Sequence, residues 1–326
     1  MSQTSNTFDT FNAKGIRESL SNVIYNISPE ETPFMSNVGR ENVKNTYFEW
    51  QTDSLAAAST TNAQVEGDDI SAFDSTAATT RLGNYTQISN KTLLISGTLE
   101  SVDKAGRRSE LAYQLAKRSA EIKRDMESTI LTNQAAAAGS AGVSTALRKT
   151  GSLLAFLKTN TDKGTGGADP VYTNSPTATR TDATAANLRT FTEAILKSVI
   201  QKVWASGGTP KVLMVGPVNK ARVSGFAGIA EIRREVTGNR QATIIGAADV
   251  YVSDFGSVNV VPNRFQRERD AFVLDPEYAN VSFLRPFSTV ELAKTGDAEK
   301  RMLVVEWGLK VHTEAAHGLA ADLTTT

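Results

Sequence analysis

Cysteine is absent from this chain of 326 residues, and only two histidines are present. Without thiols there can be no disulfides, no thiolate metal sites and no thiol catalysis, a composition that fits a reducing compartment. The two histidines, His312 and His317, fall beside a predicted strand end, and no H-E-x-x-H, G-x-S-x-G or paired-aspartate loop accompanies them. A hydrogen-bonded structural role is expected for both, with no catalytic residue, no metal and no cofactor. Long apolar runs are missing too, and the opening MSQTSNTFDTFN lacks the basic and apolar regions of a secretory signal. The expectation is a protein that is neither membrane-embedded nor exported by the usual route. Net charge is also missing, 35 basic residues balancing 35 acidic ones. No global attraction to nucleic acid or anionic membrane follows from such a balance.

A local absence is more informative. From Asn45 to Thr80 there is no lysine or arginine, yet Glu49, Asp53, Glu66, Asp68, Asp69 and Asp74 are all there. Such a run is either a solvated acidic loop or a surface made to meet a basic partner. Arg107, Arg108, Arg233, Arg234, Arg264, Arg267 and Arg269 are the candidate partners on another subunit.

The strongest positive signal is a helical period from about Thr98 to Asn133. Leu111, Leu115, Ile122, Met126 and Ile130 share one stripe, and charged residues cover the far side. Thr98 is the expected N-cap, and Lys117→Glu121 and Lys123→Glu127 stand at i,i+4. The stripe is too broad and too short-lived for a coiled coil, so it predicts a long beam lying on a sheet. Upstream, a polar arm over residues 1–12 precedes a short amphipathic helix over Ala13–Tyr25. A second helix is expected from Ser28-Pro29-Glu30-Glu31 to Gly39.

Asn45–Thr52 alternates as a strand, with Phe48 and Trp50 on one face, and Gly83–Ile95 reads as another. The Ala/Ser/Thr/Asp-rich segment between them predicts a projecting two-stranded arm, too poor in core residues to be stable alone. After the beam comes a short apolar segment, Ser152–Leu157, then a glycine-containing stretch without a phosphate-loop pattern. A helix over Ala183–Ala205, a strand over Lys211–Val215, a helix from Pro217 and a strand over Ala242–Gly246 make a small α/β unit. The last third predicts strands: Asp249–Ser253 and Ser257–Val261 around an Asp254-Phe255-Gly256 turn, then Ala271–Leu274, Val281–Leu284 and Met302–Val311. Pro276 and Pro286 are expected at strand ends. The D-F-G triplet lacks every other kinase element and is read as a turn.

Taken in order, these parts form an α+β chain that resembles the major capsid proteins of tailed bacteriophages, the HK-ninety-seven-type fold. The likeness is carried by SGTLESVDKAGRRSELAYQLAKRSAEIKRDMES (residues 96–128), ADVYVSDFGSVNVVPNRF (residues 248–265) and LDPEYANVSFLRPFSTVELAKTGDAEKRMLVVEWGLKVHTEAAHGLAADL (residues 274–323). The resemblance implies an N-arm (1–42), an extended loop (43–97), and a spine helix with the first part of a peripheral domain (98–180). It further implies an axial domain (181–250), and peripheral strands with a C-terminal strand returning to the axial domain (251–326). By the same likeness the chain self-assembles into pentamers and hexamers of an icosahedral shell around double-stranded DNA, with portal, scaffolding or decoration proteins as partners. It would be assembled in the bacterial cytoplasm and would not contact membranes.

The founding member links its shell covalently through a lysine on the extended loop. With no lysine over residues 45–80, noncovalent arms are expected here, the contacts being carried by Glu66, Asp68, Asp69 and Asp74 against Arg107, Arg108, Arg233 and Arg234. With the arm and the extended loop accounting for the residues before the spine, no fused scaffolding domain is expected, and a separate scaffold protein, or none, is the expectation. A nanocompartment shell of the same fold is the alternative, and a soluble enzyme a more distant one.

Overall fold

The computed structural model describes residues 31–63, 66–67, 73, 75–142, 146–226 and 250–325. The expected N-terminal arm, the helix over Ala13–Tyr25, the Ser28-Pro29 cap and the strand over Ala242–Gly246 lie outside them.

A proline does open the first helix among the described residues, but it is Pro33: α1 spans Pro33–Asn37, and Glu31 and Thr32 are not helical. Proline at the first helical position loses no hydrogen bond, since that N–H has no intrahelical partner. The chain then enters β1 (Gly39–Asn42).

The beam is present and shorter than its periodicity suggests. A single turn, α2 (Gly97–Ser101), is capped by Ser96, not Thr98, through a bond from the Leu99 N–H of 3.3 Å. The chain breaks at Gly106, whose φ of 78° lies in the left-handed region that favours glycine. It restarts at Ser109, whose hydroxyl accepts from the Ala112 N–H at 3.2 Å. The spine, α3, therefore runs Glu110–Leu131, 22 residues, or about 33 Å. Ile122, Met126, Ile130 and Leu131 are fully buried, whereas Leu111 and Leu115 are only half-buried. The C-terminal half of the spine is thus the part set into the core. Neither predicted i,i+4 pair forms: Glu121 accepts from Arg118, and Glu127 turns inward.

Beneath the spine lies a four-stranded sheet ordered β1, β10 (Ala279–Glu291), β11 (Ala298–Val311), β4 (Gln87–Ser96). β1 runs parallel to β10, and the other neighbours are antiparallel. Val281, Leu303, Val305, Trp307 and Leu309 meet the spine's apolar residues in one core. Both long strands exceed expectation, and Pro286 lies inside β10. It is tolerated because the ladder with β11 shifts register between Phe283 and Ser288, which leaves Pro286 without a cross-strand partner.

The predicted strand over Gly83–Ile95 divides at Thr86. β3 (Thr80–Tyr85) pairs with β2 (Tyr47–Thr52) as a two-stranded ribbon, while β4 joins the larger sheet. Buried Thr86 makes the corner, its hydroxyl donating to Glu306 at 3.0 Å and its N–H to the Thr46 carbonyl at 2.8 Å.

A six-stranded sheet is ordered β5 (Thr161–Asp162), β12 (Gly318–Ala320), β9 (Ala271–Leu274), β6 (Val212–Val215), β8 (Gly256–Pro262), β7 (Val250–Ser253). Its central strands are buried on both faces, and alternation separates two cores. Val212, Met214, Phe272 and Leu274 join the spine's core. Leu213, Val215, Ala271 and Val273 face α5 (Glu193–Ala205) and α6 (Pro217–Val223). The helix expected from Ala183 starts ten residues late because residues 185–187 form a single 3-10 turn and residues 188–192 run on without helix. Between the two sheets, α4 (Leu153–Phe156) is completely buried. The Asp254-Phe255-Gly256 segment makes the β7–β8 turn as predicted, with Ser253 opposite Gly256.

Candidate assembly surfaces

The ribbon follows its predicted alternation. Phe48 and Trp50 point into the subunit while Glu49 and Gln51 face solvent. Its root is better anchored than the composition of residues 43–97 suggests. Phe48 and Trp50 stack at 5.9 Å, Trp50 meets Phe156 at 6.1 Å, and the indole N–H donates to the His312 carbonyl at 3.2 Å. Gly308 of β11 makes room for this, since a Cβ there would lie 2.7 Å from Phe48 Cε1. Buried Asn84 donates to the Leu309 carbonyl at 2.7 Å and accepts from the Gly151 N–H at 2.8 Å. Beyond the Thr52–Thr80 pair the character reverses. Leu55 is 98% exposed and Phe73 91%, so the root belongs to the subunit and the tip is offered outward.

The predicted charge partners separate into different environments. Glu66 is exposed on the tip; Asp68, Asp69, Asp74, Arg233 and Arg234 lie outside the described residues. Arg107 is engaged within its own chain, bonded to Glu110 and stacked 5.5 Å from the Tyr113 ring. Arg108 and Arg264 are exposed. Arg267 and Arg269 point inward, to Asp182 and Asp270 and to Asp182 and Asp322 respectively. An arginine's sequence position does not say which way its long side chain turns.

Several buried acids escaped the sequence reading, four of them at junctions between segments. Glu127 of the spine accepts from the Phe34 N–H at 2.7 Å, the Met35 N–H at 3.0 Å and Asn263 Nδ2 at 2.6 Å. Burial pushes its carboxyl above the ordinary range, and these bonds oppose that only in part. Glu306 joins Arg148, Arg285 at 2.7 Å and the Thr86 corner. Asp322, the one non-glycine residue of positive φ among the described residues at 59°, accepts from the Gly164 and Ala183 N–H groups at 3.1 and 2.8 Å and pairs with Arg180 and Arg269. Burial works against its charge, but the Ala183 N–H, Arg180 and the Gly164 N–H hold it below the usual carboxylate range. Nearby Asp270, fully buried, is pushed up to about 7 by burial, which Arg267 offsets only in part.

His317 is buried, its Nδ1 accepting from the Asp275 N–H at 3.3 Å, and burial lowers it to about 4. This is the hydrogen-bonded role expected of it. Among the described residues no group of histidines and acids is arranged to hold a metal ion, and no helix is long and apolar enough to cross a membrane.

A spine helix on a four-stranded sheet, a second sheet between two cores and a projecting ribbon define a shell-subunit fold. The capsid asymmetric unit of Cyanophage A-1(L) superimposes with a TM-score of 0.67 at 11% identity, covering 98% of this chain and 99% of that one. A solved structure from Gordonia phage Cozz gives 0.60 at 12% identity, over 99% and 98%. An encapsulin of Synechococcus elongatus gives 0.56 at 11%, over 98% and 97%. The chain belongs to the SU10 major capsid protein family, whose profile matches residues 3–324. It is 30% identical over 343 residues to the major capsid protein of Escherichia phage Phieco32, covering 96% of each. Its role is that of a phage major capsid protein, a structural component of the virion capsid and not an enzyme.

Proposed function

We propose that this subunit closes an icosahedral shell of hexamers and pentamers around double-stranded DNA, assembled in the host cytoplasm through noncovalent contacts of its projecting arm. The observation that carries the reading is the division of the ribbon into a buried root and a tip bearing exposed Leu55 and Phe73. A tip of this kind gains order when a neighbour covers it, which couples its folding to assembly. Repetition by symmetry lets many modest contacts add up to a stable wall. Residues 1–42 then serve as the N-arm and residues 43–97 as the extended loop. The spine with its sheet is the peripheral domain, and residues 181–250 are the core of the axial domain. The acidic tip, with Glu66, Asp68, Asp69 and Asp74, meets basic residues of an adjacent copy. Among the described residues, Arg108 and Arg264 are the predicted partners that are exposed. A portal is the remaining partner, together with a separate scaffold or decoration protein or neither, and net neutrality suits a wall that encloses DNA without gripping it.

Joining Thr52 to Thr80 by an Asn-Gly turn in place of residues 53–79 tests the reading, because these two residues already face each other across the ribbon. A soluble subunit that forms no closed shells is expected. Normal shells from that deletion would refute the arm's role. The encapsulin likeness favours a second use of the fold, a shell around a cargo enzyme. Nuclease-protected DNA in purified particles decides for the virion, and a co-purifying enzyme for the compartment.

A further inference from the structure

Basic residues without an acidic partner gather on one face of the subunit. There α1 separates two grooves, one of about 510 Å³ lined by Met35 and Phe287 and one of about 280 Å³ lined by Pro33 and Pro262. Arg40 and Lys123 stand on the first groove and Arg264 on the second. Arg124 of the spine reaches the residue next to Arg264, its guanidinium 5.3 Å from the centroid of the Phe265 ring. Lys117 comes seven residues before Arg124, two turns earlier on the same stripe of the spine. Arg40, Lys117, Lys123 and Arg264 are exposed and Arg124 is half-buried, and none is in an ion pair among the described residues.

The acids around them are already engaged. Glu41 holds Lys310 at 3.0 Å, Glu121 holds Arg118 at 2.6 Å, Asp125 holds Lys91 at 2.7 Å, and Glu127 turns inward. Of the acids here only Glu31, in the smaller groove, has no ion pair among the described residues. On the β10–β11 hairpin, by contrast, Arg285, Lys294 and Arg301 each hold an acid, and Lys300 a threonine hydroxyl. A neutral chain thus presents one face that is positive. None of the exposed large apolar side chains belongs to α1, the spine or the two grooves. Protein partners are anchored by apolar and aromatic contacts, whereas a phosphate backbone is held by scattered cations.

We propose that this face lines the inside of the shell and meets the phosphate backbone of the enclosed double-stranded DNA through Arg40, Lys117, Lys123, Arg124 and Arg264. This rests on the DNA-enclosing reading and adds which surface looks inward. Phosphate contacts carry no sequence information, so the lining suits any DNA. Symmetry repeats the face in every copy, and a few weak contacts from each are enough. Arg264 is thereby assigned to the nucleic acid, which leaves Arg108 as the exposed candidate for the acidic tip.

Lysine acylation tests the assignment. DNA-filled particles and the same particles emptied of DNA are treated with N-hydroxysuccinimide acetate, and each lysine is followed by mass spectrometry. Lys117 and Lys123 should react about tenfold more slowly in filled particles, with Lys149 and Lys294 unchanged between the two. Equal rates overturn the proposal. Fast in both means that the face looks outward, and slow in both means that protein, such as a neighbour's acidic tip, covers it. Particles without nuclease-protected DNA would refute the enclosing role itself, whereas filled particles with equal rates remove only this lining. Lys117→Gln with Lys123→Gln and Arg264→Gln gives a second measurement on the full-chain subunit. At an unchanged melting temperature, the log–log slope of its affinity for a short DNA duplex against salt should become shallower by about 3, one for each cation removed. An unchanged slope overturns the proposal.

Discussion

Glu127 and His317 show how single buried groups tie distant segments together. Glu127 joins the spine to α1 through hydrogen bonds, with no opposing cation among the described residues. Removing the acceptor strands two backbone N–H groups and an amide, so Glu127→Ala should cost on the order of 3 kcal/mol in denaturant unfolding of the subunit, and Glu127→Gln less. Its raised carboxyl binds a proton more readily folded than unfolded, so this part of the stability declines as pH rises out of the ordinary carboxylate range. His317 has the opposite sign. Folded, it stays neutral down to about 4, while unfolded it takes its proton near 6.5. Stability should therefore fall as pH drops between those values, by about 3 kcal/mol at most, and His317→Asn should flatten that limb of a melting-temperature profile against pH. Asp270, protonated in the fold up to about 7, should oppose it, its contribution declining from the ordinary carboxylate value up to neutrality. Asp270→Asn is expected to remove that decline while changing stability by less than about 1 kcal/mol near pH 3, where the carboxyl is protonated both folded and unfolded.

At the level of elements, the spine is decided by its ends. Gly106 at φ 78° and the Ser109 cap set where it restarts. Ser109→Ala should cost about 1 kcal/mol, and Gly106→Ala a similar amount through strain, both read from subunit unfolding. The ribbon's root depends on a missing side chain: Gly308→Val would drive into Phe48, and an overpacked core of this kind costs about 1–3 kcal/mol. That variant should lose the buried-tryptophan fluorescence of Trp50 before global unfolding, since the ribbon is the element pushed away.

For the whole molecule, charge is balanced overall and uneven locally. If assembly brings an acid-only tip to basic residues of an adjacent copy, shells should form less readily as salt rises, because exposed charge pairs are screened within a Debye length of about 10 Å at 0.1 M. Light scattering across a salt series checks this. Scattering that grows steadily with salt would point instead to purely apolar contacts.

What the sequence determined alone was whatever depends on near neighbours. Periodicity located the buried stripe of Ile122, Met126 and Ile130, the alternation of Phe48 and Trp50, and the Asp254-Phe255-Gly256 turn. Composition removed thiol chemistry and marked the acid-only segment. Only the tertiary structure decided that one predicted strand splits at Thr86, that Pro286 sits within β10, that Arg107, Arg267 and Arg269 turn to their own chain, and that Met35 and Phe287 share a groove. The physical reason is distance along the chain. Glu127 meets Phe34 across 93 residues, Arg180 meets Asp322 across 142, and Arg148 meets Glu306 across 158. Such contacts have no spacing to read, because the fold, and not the local backbone, brings them within hydrogen-bonding reach.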